Sequence, residues 1–136
     1  MIAPRCCKLR VSEVYLMTDP IAVLVVEDEI LIRMDMAGQL EDEGFTVFEA
    51  SNADEAIVLL QAQPSIRLMF TDIDMPGSMD GLKLAAAVRD RWPPIKIIVT
   101  SGHRVVEITD LPDGSVFFSK PYRHQAMMAS VRDLLR

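Results

Sequence analysis

Reactive side chains stand just after four apolar runs of this sequence. Glu27 and Asp28 follow the first run, Asp72 follows the third, Thr100 follows the fourth and Lys120 follows the fifth. If the runs are parallel strands, their carboxyl ends meet at one edge of a sheet, where ligands of such sheets bind. Three carboxylates, a hydroxyl and an ammonium would then converge on one pocket.

The chemistry of such a pocket follows from its charges. Carboxylates packed together repel one another, which raises their pKa values, and a hard divalent cation relieves that repulsion. Mg²⁺ needs only one or two protein carboxylates when a phosphate supplies further oxygens. Lys120 adds a positive charge for phosphoryl oxygens, and Thr100 adds a hydroxyl donor. Asp72 is then the natural nucleophile, because an aspartate can form an acyl phosphate.

The elements that position these residues are short strands. Residues 21–26 form a continuous, β-branched apolar run, which is typical of a strand covered on both faces of a parallel sheet. Comparable runs predict four further strands, over 45–48, 66–70, 95–99 and 116–118.

Helical spacing fills the intervals between the strands. The first helix is predicted over 30–40. Its buried face is expected to contain Ile30, Met34, Ala37 and Leu40. Asn52 is expected to cap the second helix, with Glu55 reaching back as in a capping box. Three more helices are predicted, over 82–88, 105–108 and 125–135.

The alternation of strands and helices predicts a three-layer α/β sandwich around a parallel sheet. This domain is expected to span residues 20–136. Residues 1–19 differ in character, with three basic residues and no continuous apolar stretch. Three interpretations of them stay open: a start-site artefact upstream of Met17, which is favoured, a disordered tail, or an arm that packs on a partner.

The overall composition narrows the classes of function. The net charge is −6, which disfavours sequence-independent nucleic-acid binding and an anionic membrane surface as partner. A membrane-spanning helix needs about 20 apolar residues, and no apolar run in the sequence approaches that length. The two cysteines, Cys6 and Cys7, are adjacent and have nothing else to pair with, so the cytoplasm is the expected compartment.

Five short motifs together resemble a known family. They are Val25-Val26-Glu27-Asp28-Glu29, Asp72-Ile73-Asp74-Met75-Pro76, Asp80-Gly81, Val99-Thr100-Ser101 and Lys120-Pro121. In this order and spacing they resemble the receiver domain of two-component response regulators, over residues 20–136. The resemblance implies a flavodoxin-like (βα)5 fold whose five parallel strands are ordered 2-1-3-4-5, here as a stand-alone receiver.

The resemblance also implies a role for each matching position. Asp72 would accept a phosphoryl group. The ligands of Mg²⁺ would be Asp28, Asp72 and the backbone carbonyl of Asp74, with Glu27 acting mainly through a bound water.

Three further positions would respond to the phosphate. Thr100 would swing toward it, Lys120 would pair with it, and Phe117 would be a switch aromatic. The Lys120–Pro121 peptide bond would be cis. The loop from Pro76 to Gly81 is one residue longer than the commonest family loop.

The implied function is a phosphorylation switch rather than an enzyme. A sensor histidine kinase or a histidine phosphotransfer protein would donate the phosphoryl group, in a transfer that the receiver itself catalyses, and slow autodephosphorylation would end the signal. A downstream protein partner would bind the face formed by the segment after strand four, strand five and the closing helix. Dimerisation through the same face stays open. Two alternatives are a phosphatase similar to the haloacid dehalogenases, since Asp72-Ile73-Asp74 resembles their DxD motif, and a pseudo-receiver that never takes phosphate.

Overall fold

A computed structural model describes residues 20–102 and 111–136. The elements in chain order are β1 (Ala22–Val26), α1 (Ile30–Asp42), β2 (Thr46–Ala50), α2 (Ala53–Ala62), β3 (Ile66–Asp72), α3 (Gly81–Arg91), β4 (Lys96–Ser101), β5 (Val116–Ser119) and α4 (His124–Leu134). The predicted brief helix over 105–108 and the segment 1–19 lie outside the described residues.

The five strands form one sheet in the order β2-β1-β3-β4-β5, and every neighbouring pair is parallel. This confirms the predicted flavodoxin-like order. The order reverses between β1 and β3, so the edge beyond their carboxyl ends is where a ligand site is expected.

Two apolar clusters cover the two faces of the sheet. Alternate residues of β1 divide between them, because successive side chains of a strand point to opposite faces. One cluster joins the sheet to α2 and α3, through residues such as Leu60 and Leu84. The other joins it to α1 and α4, through residues such as Leu40 and Val131. The result is the predicted three-layer sandwich.

The buried face of α1 differs from the prediction. Ala37 and Leu40 are buried as expected, with Met36 beside them, but Ile30 and Met34 are 58% and 57% exposed. Apolar residues occur most of the way round this helix, so their spacing did not determine which stripe faces the sheet.

Local signals fix the ends of several helices. Gly44, which follows the C-cap residue Glu43 of α1, has a φ of 98°, a conformation that favours glycine. The Asn52 side chain accepts a hydrogen bond from the Glu55 N–H at 2.9 Å, as predicted. The Glu55 carboxylate reaches one residue further back than a capping box requires, to the N–H and hydroxyl of Ser51.

None of the helices within 20–102 and 111–136 combines the length and the apolar character that a membrane crossing needs.

Candidate functional site

The predicted site residues meet at the carboxyl edge of the sheet. Asp72 is the last residue of β3 and lies in register with Thr100 of β4. One carboxylate oxygen each from Glu27, Asp28 and Asp72 lies within 4.8 Å of the others. The strand ends therefore bring together three carboxylates that are up to 45 positions apart in the chain.

Lys120 bridges two of these carboxylates. Its Nζ lies 3.3 Å from Glu27 Oε1 and 3.4 Å from Asp72 Oδ2. Its backbone N–H donates to the carbonyl of Ser101 at 2.9 Å, and the peptide bond to Pro121 is cis. The ammonium group is thus held over the pocket from the end of β5.

Burial shapes the electrostatics of the cluster. Glu27 and Asp72 are only 1% and 4% exposed. Burial raises the pKa of Asp72, against the lowering effect of Lys120. Burial also raises the pKa of Glu27, and the nearby Asp72 carboxylate adds to that effect. Burial by itself lowers the pKa of Lys120, but the carboxylates of Asp72 and Glu27 outweigh it, so the pKa is raised.

Two buried oxygens in the pocket have no hydrogen-bond partner among the described residues: Asp72 Oδ1 and Thr100 Oγ1. Buried polar atoms are nearly always satisfied in folded proteins, and exceptions commonly mark an ion or a reactive site. Three carboxylates against one ammonium also leave the cluster with net negative charge. Hard oxygen donors with uncompensated negative charge fit a divalent cation of the magnesium type.

The two acids at the end of β1 have different environments. Glu27 is buried, and each of its carboxylate oxygens already has a protein partner, Lys120 for Oε1 and the Glu29 N–H for Oε2. Asp28 is exposed. The arrangement leaves Asp28 and Asp72 better placed than Glu27 to coordinate a cation directly.

Asp74 and Phe117 are held by contacts outside the carboxylate cluster. The Asp74 carboxylate accepts a hydrogen bond from the Ser101 hydroxyl at 3.0 Å, which ties the loop after β3 to the end of β4. Phe117 is half-buried and packs against the apolar cluster under α2 and α3.

Gly81 brings the first turn of α3 against the strand that carries Asp72. A Cβ at this position would lie 2.0 Å from the Asp72 carbonyl oxygen. Its N–H donates to the Ile73 carbonyl at 3.0 Å, while Asp80 caps the helix by accepting from the Lys83 N–H. Only a residue without a Cβ permits this approach.

The loop before α3 packs onto the neighbouring helix α2. Gly77 has a φ of 113°, and the Ser78 hydroxyl donates to the Asp54 carboxylate of α2 at 2.7 Å. Met79 packs against the apolar cluster on that side of the sheet. These contacts hold the loop from outside the carboxylate cluster.

Two residues near the site were not assigned from the sequence. Arg33 of α1 donates to the backbone carbonyl of Glu27 at 2.9 Å. Tyr122 packs edge-on against Phe70 and Phe118, and burial raises its pKa to about 12. Glu27 and Phe118 lie close to these residues in the chain, but a hydrogen bond to a backbone carbonyl and an edge-on ring contact correspond to no sequence motif.

The fold and the strand-end cluster define a phosphoacceptor domain of the receiver type. The response regulator receiver domain family matches residues 23–132, and the chain belongs to this family. It is therefore a phosphoacceptor module of two-component signalling, and the predicted family resemblance is confirmed.

Relatives and solved structures agree with the assignment. An NtrX-like response regulator of Rickettsia bellii is 33% identical over 112 residues, which cover 79% of this chain and 23% of that protein. The chain thus spans about a quarter of the length of the curated relatives it matches.

Two solved receiver structures cover most of the chain. The response regulator receiver protein of Sinorhizobium medicae has a TM-score of 0.80 and 28% identity, over 86% of this chain and 95% of its own. The receiver domain of Brucella abortus NtrX has a TM-score of 0.76 and 32% identity, over 83% of this chain and 97% of its own.

Proposed function

We propose that Asp72 accepts a phosphoryl group from a phosphohistidine of a sensor histidine kinase or a histidine phosphotransfer protein. The P–N bond to the imidazole breaks, a P–O bond to the Asp72 carboxylate forms, and the donor histidine leaves in its unphosphorylated form. The observation that carries this proposal is the buried, unpartnered Asp72 Oδ1 beside the unpartnered Thr100 hydroxyl and the Lys120 ammonium.

The same pocket is proposed to hold Mg²⁺. Its ligands would be the carboxylates of Asp28 and Asp72 and the backbone carbonyl of Asp74, with Glu27 contributing through water. When bound, the ion neutralises charge on the carboxylates and on phosphoryl oxygens. The net negative, oxygen-rich donor set supports this role.

Lys120 and Thr100 are proposed to change their contacts when Asp72 is phosphorylated. A phosphoryl group on Asp72 adds negative charge about where Lys120 now contacts the two carboxylates. We expect Lys120 to exchange Glu27 for phosphoryl oxygens, while the unpartnered Thr100 hydroxyl gains an acceptor. Both residues stand at the ends of neighbouring strands, β4 and β5, so their movement would shift the surface that includes Phe117.

The surface that changes is proposed to be the segment between β4 and β5, part of which lies outside the described residues, together with β5 and α4. A downstream protein partner, or a second copy of the chain, would bind one phosphorylation state better than the other. The cytoplasm is the proposed compartment for this chain and for the protein that binds it.

The phosphodonor is proposed to dock on the first two turns of α1. Ile30, Leu31 and Met34 are 58%, 78% and 57% exposed, and their helix starts two residues after Asp28. A cavity of about 520 Å³ lies along other positions of the same helix, Ile32 and Asp35 among them, and extends to Lys120. A protein that brings a phosphohistidine to Asp72 has to cover this rim, and exposed apolar side chains favour protein contacts.

A charge introduced on this apolar surface tests the docking proposal. Leu31→Glu is expected to slow transfer from a phosphorylated histidine phosphotransfer protein while leaving transfer from acetyl phosphate unchanged. Val58→Glu is the matched control, because Val58 is 62% exposed on α2, away from the site. Equal protein-to-protein transfer by wild type and Leu31→Glu would contradict the proposed surface.

The phosphoacceptor proposal is tested by intact mass after incubation with Mg²⁺ and acetyl phosphate. Wild-type protein is expected to gain one phosphoryl group, and Asp72→Asn none. Repeated turnover of many phosphomonoesters would instead indicate a phosphatase. Neither adduct nor Mg²⁺ binding would indicate a pseudo-receiver.

A further inference from the structure

Arg33 connects three elements beneath the acidic cluster. Its Nη1 donates to the Glu27 carbonyl at 2.9 Å, and its Nε donates to the Glu49 carboxylate at 3.2 Å. The Arg33 side chain is only 16% exposed, whereas that of Glu49 is 41% exposed. The guanidinium of α1 is thus anchored on β2 and holds the peptide at the end of β1.

The peptide unit that precedes Asp28 has little freedom as a result. Its carbonyl belongs to Glu27 and is held by Arg33. The peptide unit before it is held as well, because the Glu27 N–H donates to the Ala50 carbonyl at 3.0 Å. The Glu27 side chain is fixed separately by Glu29 and Lys120. Asp28 is the next residue, so the direction of its Cα–Cβ bond depends on this clamped peptide.

We infer that Arg33 is a positioning residue for the divalent-cation site. It acts through the Glu27–Asp28 peptide, which it orients so that the Asp28 carboxylate faces Asp72. The inference rests on the proposed magnesium site and goes beyond it, because Arg33 itself supplies no ligand. Partners that orient metal ligands commonly matter almost as much as the ligands.

The two physical effects of Arg33 predict opposite results. A positive charge near a cation repels it, so removal of the charge alone would strengthen Mg²⁺ binding. Loss of orientation would weaken binding. The direction of the change in affinity therefore separates a positioning role from a simple electrostatic one.

The test is calorimetric titration of Mg²⁺ into the full chain, without phosphodonor. Arg33→Ala is expected to bind Mg²⁺ about tenfold more weakly than wild type. Arg132→Ala is the matched control, because it removes one positive charge and an ion pair with Glu43 at 2.8 Å, on the surface between α4 and the C-terminus of α1. Its affinity is expected to equal that of wild type.

A second readout needs no metal. Amide hydrogen exchange at the Glu27 N–H is expected to speed up in metal-free Arg33→Ala and to stay unchanged in Arg132→Ala. Arg33→Lys keeps the charge but offers a point donor in place of the two-pronged guanidinium. Its Mg²⁺ affinity is expected to fall between those of wild type and Arg33→Ala.

Failure of the inference is distinguishable from failure of the proposed site. Wild-type affinity, or tighter binding, in Arg33→Ala overturns the positioning role while the metal site stands. Absence of Mg²⁺ binding by wild type overturns both. If Arg33→Ala does not fold, Glu49→Gln is tested in its place. Its Mg²⁺ affinity is expected to fall by at most about fivefold, which is the contribution of an exposed ion pair. Unchanged Mg²⁺ affinity in both Glu49→Gln and Arg33→Lys would overturn the inference.

Discussion

Replacement of Gly81 by alanine is expected to displace the backbone that carries Asp72. The added Cβ would lie 2.0 Å from the Asp72 carbonyl oxygen, and 2.8 Å from both the Asp72 carbonyl carbon and the Ile73 Cα. Ordinary contact begins at 3.4 Å, so the backbone has to move by about 1.4 Å. All three contacts are with backbone atoms, so no side-chain rotation relieves them.

Two quantities should change together. Overpacking of this kind costs about 1–3 kcal/mol or more of the free energy of unfolding. A displacement of about 1 Å at a reacting group typically slows a reaction by about 100-fold. Gly81→Ala is therefore expected to lose stability and to be phosphorylated by acetyl phosphate about 100-fold more slowly than wild type.

The assay combines urea unfolding with phosphorylation rates measured where both proteins are folded. Gly38→Ala is the matched control, because nothing lies within 4 Å of a Cβ at Gly38 in the middle of α1. That substitution is expected to stabilise the protein by about 0.5–1 kcal/mol and to leave the phosphorylation rate unchanged. Wild-type stability and phosphorylation rate in Gly81→Ala would show that the close approach of α3 to the Asp72 carbonyl does not require glycine.

Three further predictions concern the cap, the buried tyrosine and the lysine. Asn52→Ala, which removes the α2 cap, should lower the free energy of unfolding by about 1 kcal/mol in urea denaturation, and an unchanged value would count against the cap. Because the pKa of Tyr122 is raised, its neutral phenol stabilises the folded protein fully below about pH 10, and this stabilisation is lost as the pH rises toward 12. Ionisation of Tyr122 near pH 10 in an absorbance titration of the folded protein would contradict this. Lys120→Ala should still accept phosphate on Asp72, but phosphorylation should no longer shift the amide resonances of β5 and α4; wild-type shifts would disprove the coupling.

The strands, and the meeting of the site residues at the strand ends, could be predicted because both depend on local sequence patterns. Short apolar runs identified all five strands. β3 and β4 each continue two residues beyond their predicted ends, which places Asp72 and Thr100 in register as paired strand residues. Parallel pairing then brings the strand ends together without further information.

The contacts that refine the site could not be predicted because they depend on packing. The stripe of α1 that faces the sheet was ambiguous, since apolar residues occur most of the way round the helix. Arg33 acts on a backbone carbonyl, and the sequence carries no signal for such a partner. Gly81 was recognised as part of a motif, but its function became clear only from the distance to the Asp72 carbonyl.

The proposal of Asp72 as the phosphoacceptor is tested most directly by chemical mapping of the phosphorylated residue. Protein incubated with acetyl phosphate, with or without Mg²⁺, is reduced with borohydride, which converts an aspartyl phosphate to homoserine, and digested peptides are weighed. We predict homoserine at position 72 alone, and only when Mg²⁺ is present. Homoserine at Asp28 or Asp74, or equal labelling without Mg²⁺, would contradict it.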